Sequence, residues 1–140
     1  MKKTLLFTMA FSALIFIGCD ESSNSGRYST DYQSAKGQLE DQESANPTDF
    51  LAGDLTYRRT LLNKWVLEGS IKSSATVATY KDITIEVLYK SKTNSVVGSE
   101  TFTLYEYLKP GRSIDYSFRS NSYRNAVSVS WKIIGAKPSY

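Results

Sequence analysis

The sequence contains no histidine and a single cysteine, Cys19, in 140 residues. The commonest general base and the commonest metal ligand are therefore missing, and no disulfide can form within one chain. Proline is also scarce, with only 3 residues. These absences exclude Ser-His-Asp and Cys-His catalysis and remove the usual zinc ligands. We expect no cofactor and no metal, and stability must come from a hydrophobic core.

The composition is sufficient for such a core. The chain is 41% hydrophobic and 22% charged, which is ordinary for a globular protein and long enough for one domain.

The first residues have the layout of an export signal. Lys2 and Lys3 form a positive start, and residues 5–17 are apolar except for Thr8 and Ser12. This run has the length of a secretory signal and is too short to span a bilayer comfortably. It ends in Phe16-Ile17-Gly18-Cys19, and strongly polar sequence follows at once.

That ending resembles the lipobox of bacterial lipoproteins. The resemblance implies a signal peptide over residues 1–18, cleavage between Gly18 and Cys19, and acylation of the Cys19 thiol. Two or more acyl chains give stable membrane anchoring, so we expect an extracytoplasmic, membrane-anchored protein. The acidic pair Asp20-Glu21 does not decide which membrane holds the protein. Acidic residues at this place resemble an inner-membrane retention signal in some bacteria and a signal for surface export in others.

Residues 19–54 are predicted to form the acylated cysteine and a disordered acidic tether. This stretch is rich in Ser, Gln, Asp and Asn, and it has no sustained hydrophobic period. A transient helix over residues 34–45 would have no apolar stripe with which to dock. Residues 20–54 carry 8 acidic and 2 basic residues, whereas residues 55–140 carry 6 acidic and 13 basic ones. The domain is therefore basic, which indicates either solvated strand faces or attraction to anionic lipid headgroups or acidic polysaccharide.

Residues 55–140 alternate apolar and polar side chains with the period of β-strands. The alternation is clearest after Trp65, from Ile83 to Tyr89, and from Val127 to Ile133. Weaker strands are predicted at residues 56–61, 96–97, 101–105 and 113–118, and Pro110-Gly111 suits a type II turn. About seven short strands predict an all-β fold, an immunoglobulin-like antiparallel sandwich with Trp65 and Trp131 in its core.

Residues 65–134 resemble the FxLYD-type immunoglobulin-like domains of bacterial and archaeal envelope proteins. The motifs that carry the resemblance are structural: Leu67-Glu68-Gly69-Ser70-Ile71-Lys72, then Tyr80 before the strand that ends at Tyr89, then Leu108-Lys109-Pro110-Gly111. Lys90 replaces the family's acidic residue. The resemblance implies a fold and an extracytoplasmic setting, and no chemistry.

Few residues of the domain are candidates for a site. One hypothesis is that Glu68 and Glu86 face each other like glycosidase carboxylates, and the simpler interpretation is that both are solvated residues paired with lysine. A binding face for sugars or a protein is the other candidate, because tyrosine and arginine are typical interface anchors. It consists of Tyr105, Tyr107, Arg112, Arg119, Tyr123 and Arg124, with Tyr116 nearby. The alternative is that strands simply favour aromatic residues.

The sequence therefore predicts a lipid-anchored envelope protein that is not an enzyme. Its expected role is protein interaction or scaffolding, and the alternative is binding of acidic glycans through the basic Tyr/Arg face. Nucleic acid is not an expected partner, because the export signal places the domain outside the cytoplasm.

Overall fold

The structure is a computed structural model that describes residues 25–139. The predicted signal peptide, Gly18 and Cys19 lie outside the described residues. The elements in chain order are α1 (Ser25–Ala45), a 3-10 helix (Pro47–Phe50), β1 (Leu51–Gly53), β2 (Thr56–Arg59), β3 (Lys64–Ser73), β4 (Thr79–Lys90), β5 (Val96–Leu104), β6 (Ser113–Ser122) and β7 (Ser128–Ser139). Neither described helix is long and apolar enough to cross a membrane.

The strands form two antiparallel sheets that pack face to face. In the first sheet β3 pairs with β6 on one edge and with β1 and then β2 on the other. In the second sheet β4 lies between β5 and β7. Both sheets contribute to one hydrophobic core. The prediction of an immunoglobulin-like β-sandwich is confirmed.

The alternation read from the sequence matches the side chains that enter the core in β4, but not at Val127, which precedes β7 and is 45% exposed. In β4, Ile83, Ile85, Val87 and Tyr89 are fully buried, and the residues between them are partly exposed. Trp65 is also a core residue, with 4% of its surface exposed. Trp131 is only partly buried at the margin of the core, where its ring lies beside Gly53.

The folded part begins before Leu55, where the sequence analysis placed its boundary. Leu51 is buried, Phe50 packs against the core, and β1 pairs with residues 71–73 of β3. Asp54 lies in the connection from β1 to β2 and is held against β3. Its carboxylate accepts hydrogen bonds from the Ser70 backbone N–H at 2.8 Å and from the Ser70 hydroxyl at 2.7 Å. These two bonds also lower the pKa of Asp54. Two apolar residues in a polar stretch were too short a pattern to predict a strand.

The polar segment before β1 contains α1, which covers the residues 34–45 for which the sequence analysis allowed a transient helix. Residues 30–36 of α1 are exposed, and the helix has no apolar face. It docks through Glu43, which is 2% exposed although it is charged. Because α1 docks through a carboxylate and has no apolar stripe, a prediction based on hydrophobic periodicity misses this docking.

Hydrogen bonds from the β3–β4 connection hold the Glu43 carboxylate. Oε1 accepts from the Thr76 backbone N–H at 2.7 Å and from its hydroxyl at 2.8 Å, and Oε2 accepts from the N–H groups of Val77 at 2.9 Å and Ala78 at 2.7 Å. The Tyr80 hydroxyl donates to the Glu43 carbonyl at 3.0 Å. Burial alone would raise the pKa of Glu43, but the hydrogen bonds outweigh it and lower the pKa overall.

One strand, β5, replaces the two short strands predicted on either side of Gly98. The ring of Tyr123 lies directly on Gly98, where an added Cβ would be 2.1 Å from Cε1 of that ring. Gly98 therefore serves as a close-packing position inside a strand, which is a common use of glycine in sheets. The total of seven strands is unchanged because β1 was not predicted.

Candidate binding site

The structure separates the six residues of the predicted Tyr/Arg face into two groups. Three come before β6 and three lie at or beyond its far end: Tyr105, Tyr107 and Arg112 in the first group, and Arg119, Tyr123 and Arg124 in the second. A strand of ten residues is about 33 Å long, so the two groups occupy opposite ends of the sandwich. They do not form one face.

The first group lies at the end of the sandwich where α1 docks, which we call the helix end. This end comprises residues 76–78, which contact Glu43, and residues 105–112. Tyr105 and Tyr107 are 81% and 63% exposed. Leu108, which follows Tyr107, is fully buried, and its backbone bonds to that of Tyr80. Gly111 has φ 66°, as the predicted type II turn requires.

The second group lies at the opposite end, where more cations join it. We call this the basic end and define it by Arg58, Arg59, Lys64, Lys92, Arg119 and Arg124. The connections β2–β3, β4–β5 and β6–β7 meet here. The Val127 N–H, after β6, donates to the Lys90 carbonyl at the end of β4 at 2.8 Å. The Arg59 side chain, at the end of β2, donates to the Tyr123 carbonyl in the β6–β7 connection. Residues 57–67, 87–99 and 116–131 of this end contain no Asp or Glu, although the next residue, Glu100, accepts hydrogen bonds from Asn121 at this end.

Two hollows lie on either side of β2 at the basic end. One encloses about 420 Å³ and is lined by Arg58, Lys64 and Arg119. The other encloses about 470 Å³ and is lined by Arg59, Lys92 and Arg124. Consecutive residues of a strand point to opposite faces, so Arg58 and Arg59 carry positive charge into both hollows.

Arg59 is held in place and shapes the second hollow. Its guanidinium lies 5.1 Å from the ring centroid of Trp65 and donates to the carbonyls of Tyr123 at 3.0 Å and Arg124 at 3.1 Å. Tyr57 meets the same indole edge-on at 5.5 Å. The buried Nε1 of Trp65 has no hydrogen-bond partner among the described residues. Trp65 therefore acts as the packing surface that fixes Arg59.

Most of the other cations are available to a ligand. Arg58 pairs with Glu68 at 3.6 Å, but both side chains are largely exposed, so this pair contributes little. Within residues 25–139, no carboxylate forms an ion pair with the remaining cations of the basic end. These are Lys64, Lys92, Arg119 and Arg124.

Tyr123 is a packing residue of the basic end and not an open stacking platform. Its ring stacks on Tyr89 at 4.2 Å between centroids. The Tyr89 hydroxyl donates to Glu100 at 2.8 Å, and the backbone and side-chain N–H groups of Asn121 donate to the same carboxylate. Burial, followed by the nearby Glu100 charge, raises the pKa values of Tyr89 and Tyr123, so both phenols stay neutral at ordinary pH.

The two candidate carboxylates lie on the outer faces of different sheets. Glu68 belongs to β3 and pairs with Arg58, whereas Glu86 belongs to β4 and pairs with Lys132 at 2.9 Å. The hypothesis that they face each other is therefore wrong, and the interpretation as solvated, paired residues holds. Among residues 25–139, no group of three acidic, Cys or His side chains is placed to hold a metal ion.

The sequence analysis missed four of the six cations of the basic end. Arg58, Arg59, Lys64 and Lys92 are distant in sequence from Arg119 and Arg124, and only the strand directions bring them together. The sequence did contain a signal for the basic end: three segments without Asp or Glu each include a turn between predicted strands. Comparisons with protein-family models, with curated proteins and with solved structures found no match to this chain.

Proposed function

We propose that this chain is a lipid-anchored protein of the bacterial cell envelope that binds an anionic partner at its basic end and catalyses no reaction. The observation that carries the proposal is the concentration of unpaired cations at this end, built from segments without a carboxylate. A predominantly positive surface, beside which lie the carboxylates of Glu68 and Glu100, attracts a polyanion by charge, and its two hollows give the polyanion room to seat. An acidic glycan of the envelope has this chemistry.

The proposed anchor and the basic end would occupy different parts of the molecule. The lipobox precedes α1, and α1 docks at the helix end through Glu43. The basic end lies at the other end of strands of about ten residues, roughly 33 Å away. The lipid would then retain the protein at one membrane while the basic end contacts its partner. The resemblance to FxLYD-type domains agrees with such an extracytoplasmic setting and stays a prediction.

Lipidation is tested by the intact mass of the native protein. We expect a chain that begins at Cys19 and carries two or three acyl groups, and we expect Cys19→Ser to lack the acyl mass and to leave the membrane fraction or accumulate uncleaved. Recovery of the native chain with Met1 and a free thiol would refute the anchor.

Anion binding is tested by titrating the mature lipoprotein, held in neutral vesicles, with polygalacturonate. We expect binding that weakens steeply as salt rises, and about a tenfold or greater loss in Lys92→Glu/Arg124→Glu because both charges line the same hollow. The matched control is Lys72→Glu/Lys109→Glu, which makes the same change in net charge at the helix end. Equal loss in both double variants would contradict a localised site.

A protein partner is the second candidate, and the free edge of the second sheet favours it. Among the described residues β7 pairs with β4 alone. Tyr57 is 43% exposed although its register partner Leu67 is fully buried on the same face. An extended segment added beside β7 would cover Tyr57 and gain backbone hydrogen bonds. Such a partner would stay bound at a salt concentration that releases polygalacturonate.

A further inference from the structure

The turn between β2 and β3 presents two leucines to solvent at the basic end. Leu61 and Leu62 are 104% and 78% exposed. The turn is closed by hydrogen bonds from the Thr60 N–H to the Lys64 carbonyl at 2.8 Å and from the Asn63 N–H to the Thr60 carbonyl at 3.0 Å. A defined turn therefore holds both leucines away from the core.

The backbone of this turn favours the exposed arrangement. Asn63 has φ 58°, a left-handed conformation that asparagine adopts more readily than most residues. Asn63 thus reverses the chain directly after Leu62, so neither leucine can follow β2 or β3 into the sandwich. Single exposed leucines are common on proteins, but two adjacent ones at the tip of a hydrogen-bonded turn need a separate explanation.

Cations surround the two leucines. Arg58 and Arg59 precede them, Lys64 follows them, and Leu62 shares a hollow with Arg119. No carboxylate occurs between residues 57 and 67. An apolar tip framed by positive charge is complementary to the surface of an anionic bilayer, because leucine enters the acyl region while Lys and Arg stay at the headgroup phosphates. A soluble polyanion would use the cations and leave Leu61, which lines neither hollow, in water.

We infer that the Leu61-Leu62 turn inserts into the interface of an anionic lipid bilayer. This inference rests on the proposed anion-binding function and names its partner as a membrane surface. The cations bring the basic end to the headgroups, and the two leucines supply apolar contact that charge alone does not. The molecule then has two membrane attachments, the proposed acyl chains before α1 and this turn at the opposite end of the sandwich.

The test uses the mature lipoprotein reconstituted in neutral phosphatidylcholine vesicles and mixed with labelled acceptor vesicles. We expect it to cluster acceptors that contain 30% phosphatidylglycerol and to leave purely neutral acceptors free. Leu61→Ser/Leu62→Ser should weaken acceptor binding about a hundredfold, since loss of one buried leucine corresponds to roughly tenfold. The matched control, Tyr105→Ser/Tyr107→Ser, removes two exposed apolar side chains at the helix end and should bind acceptors like the wild type.

Binding to polygalacturonate, a polyanion without a bilayer, distinguishes membrane insertion from the anion binding on which it rests. The Leu61→Ser variant should bind polygalacturonate as the wild type does, because its cations are intact and Leu61 lines neither hollow. If the serine variant clusters anionic vesicles as well as the wild type, or if the wild type binds polygalacturonate but no vesicle, membrane insertion is overturned and anion binding stands. If neither polygalacturonate nor anionic vesicles bind, both proposals fall.

Discussion

Replacing Glu43 by alanine should lower the free energy of unfolding by about 3 kcal/mol, because three backbone N–H groups lose their acceptor at once. Each unsatisfied buried polar group costs about 1–3 kcal/mol, and partial hydration of the opened connection keeps the total at the lower end of the sum for three groups. For a domain of this size the melting temperature should fall by about 10 °C. Thermal unfolding followed by circular dichroism measures the change.

The matched control is Asp41→Ala, which removes an exposed carboxylate from the same turn of α1. We expect a change within about 0.5 kcal/mol there. Glu43→Gln should fall between the two, because one amide oxygen still accepts hydrogen bonds but the amide nitrogen opposes the N–H donors. If Glu43→Ala and Asp41→Ala melt at the same temperature, the hydrogen bonds to residues 76–78 contribute nothing.

The Glu43 contribution should disappear in acid. Its pKa in the folded chain lies below the ordinary value of 4.5, so the folded state favours the charged form. The stabilisation is therefore complete above pH 4.5 and is lost as pH falls through the lower, folded pKa. The difference in stability between the wild type and Glu43→Ala should be constant near neutral pH and should shrink below about pH 4.

Replacing Gly69 by alanine is the second large effect, about 3 kcal/mol of destabilisation from overpacking. An added Cβ would lie 2.1 Å from the Asp54 carbonyl oxygen and 2.7 Å from the Tyr116 hydroxyl. These two atoms bond to each other at 2.7 Å, so moving one away breaks that bond. The backbone between β1 and β2 would have to shift, and the pairing of both strands with β3 would weaken.

Gly135→Ala is the matched control for this prediction. Gly135 also lies in a strand, β7, but an added Cβ there meets no atom within 4 Å. Chemical denaturation of the two variants gives the comparison directly. A midpoint for Gly69→Ala as high as that of Gly135→Ala would mean that the first sheet is looser than its packing indicates.

The parts of the fold that the sequence predicted are those in which burial follows a regular period. The alternation of β4 identifies its core face because that strand is covered on one side by the first sheet. The turn at Pro110-Gly111 was predictable for a local reason, the positive φ that glycine allows. Glu43 and Gly98 were not, because their roles depend on partners more than 20 residues away in sequence.

The candidate site was only partly predicted for a similar reason, since two of the six cations of the basic end belonged to the predicted face. Counting Tyr and Arg between residues 105 and 124 selects neighbours in sequence, but β6 carries Arg112 and Arg124 to opposite ends of the sandwich. Arg59 reaches Arg124 because β2 runs toward the end where β6 finishes. Strand direction, which composition does not encode, decides which charges act together.

The division of charge along the chain also gives the molecule a permanent electric dipole. Residues 30–54 carry six acidic residues and one basic residue, whereas six cations lie at the basic end, remote from Glu43. In physiological salt a charged surface exerts a torque on such a dipole only within a screening distance of about 8 Å, a fraction of the sandwich's length. On its proposed lipid anchor the sandwich should therefore reorient without electrostatic bias until one end comes within that distance of a charged surface, and the sign of that surface then selects the end that stays.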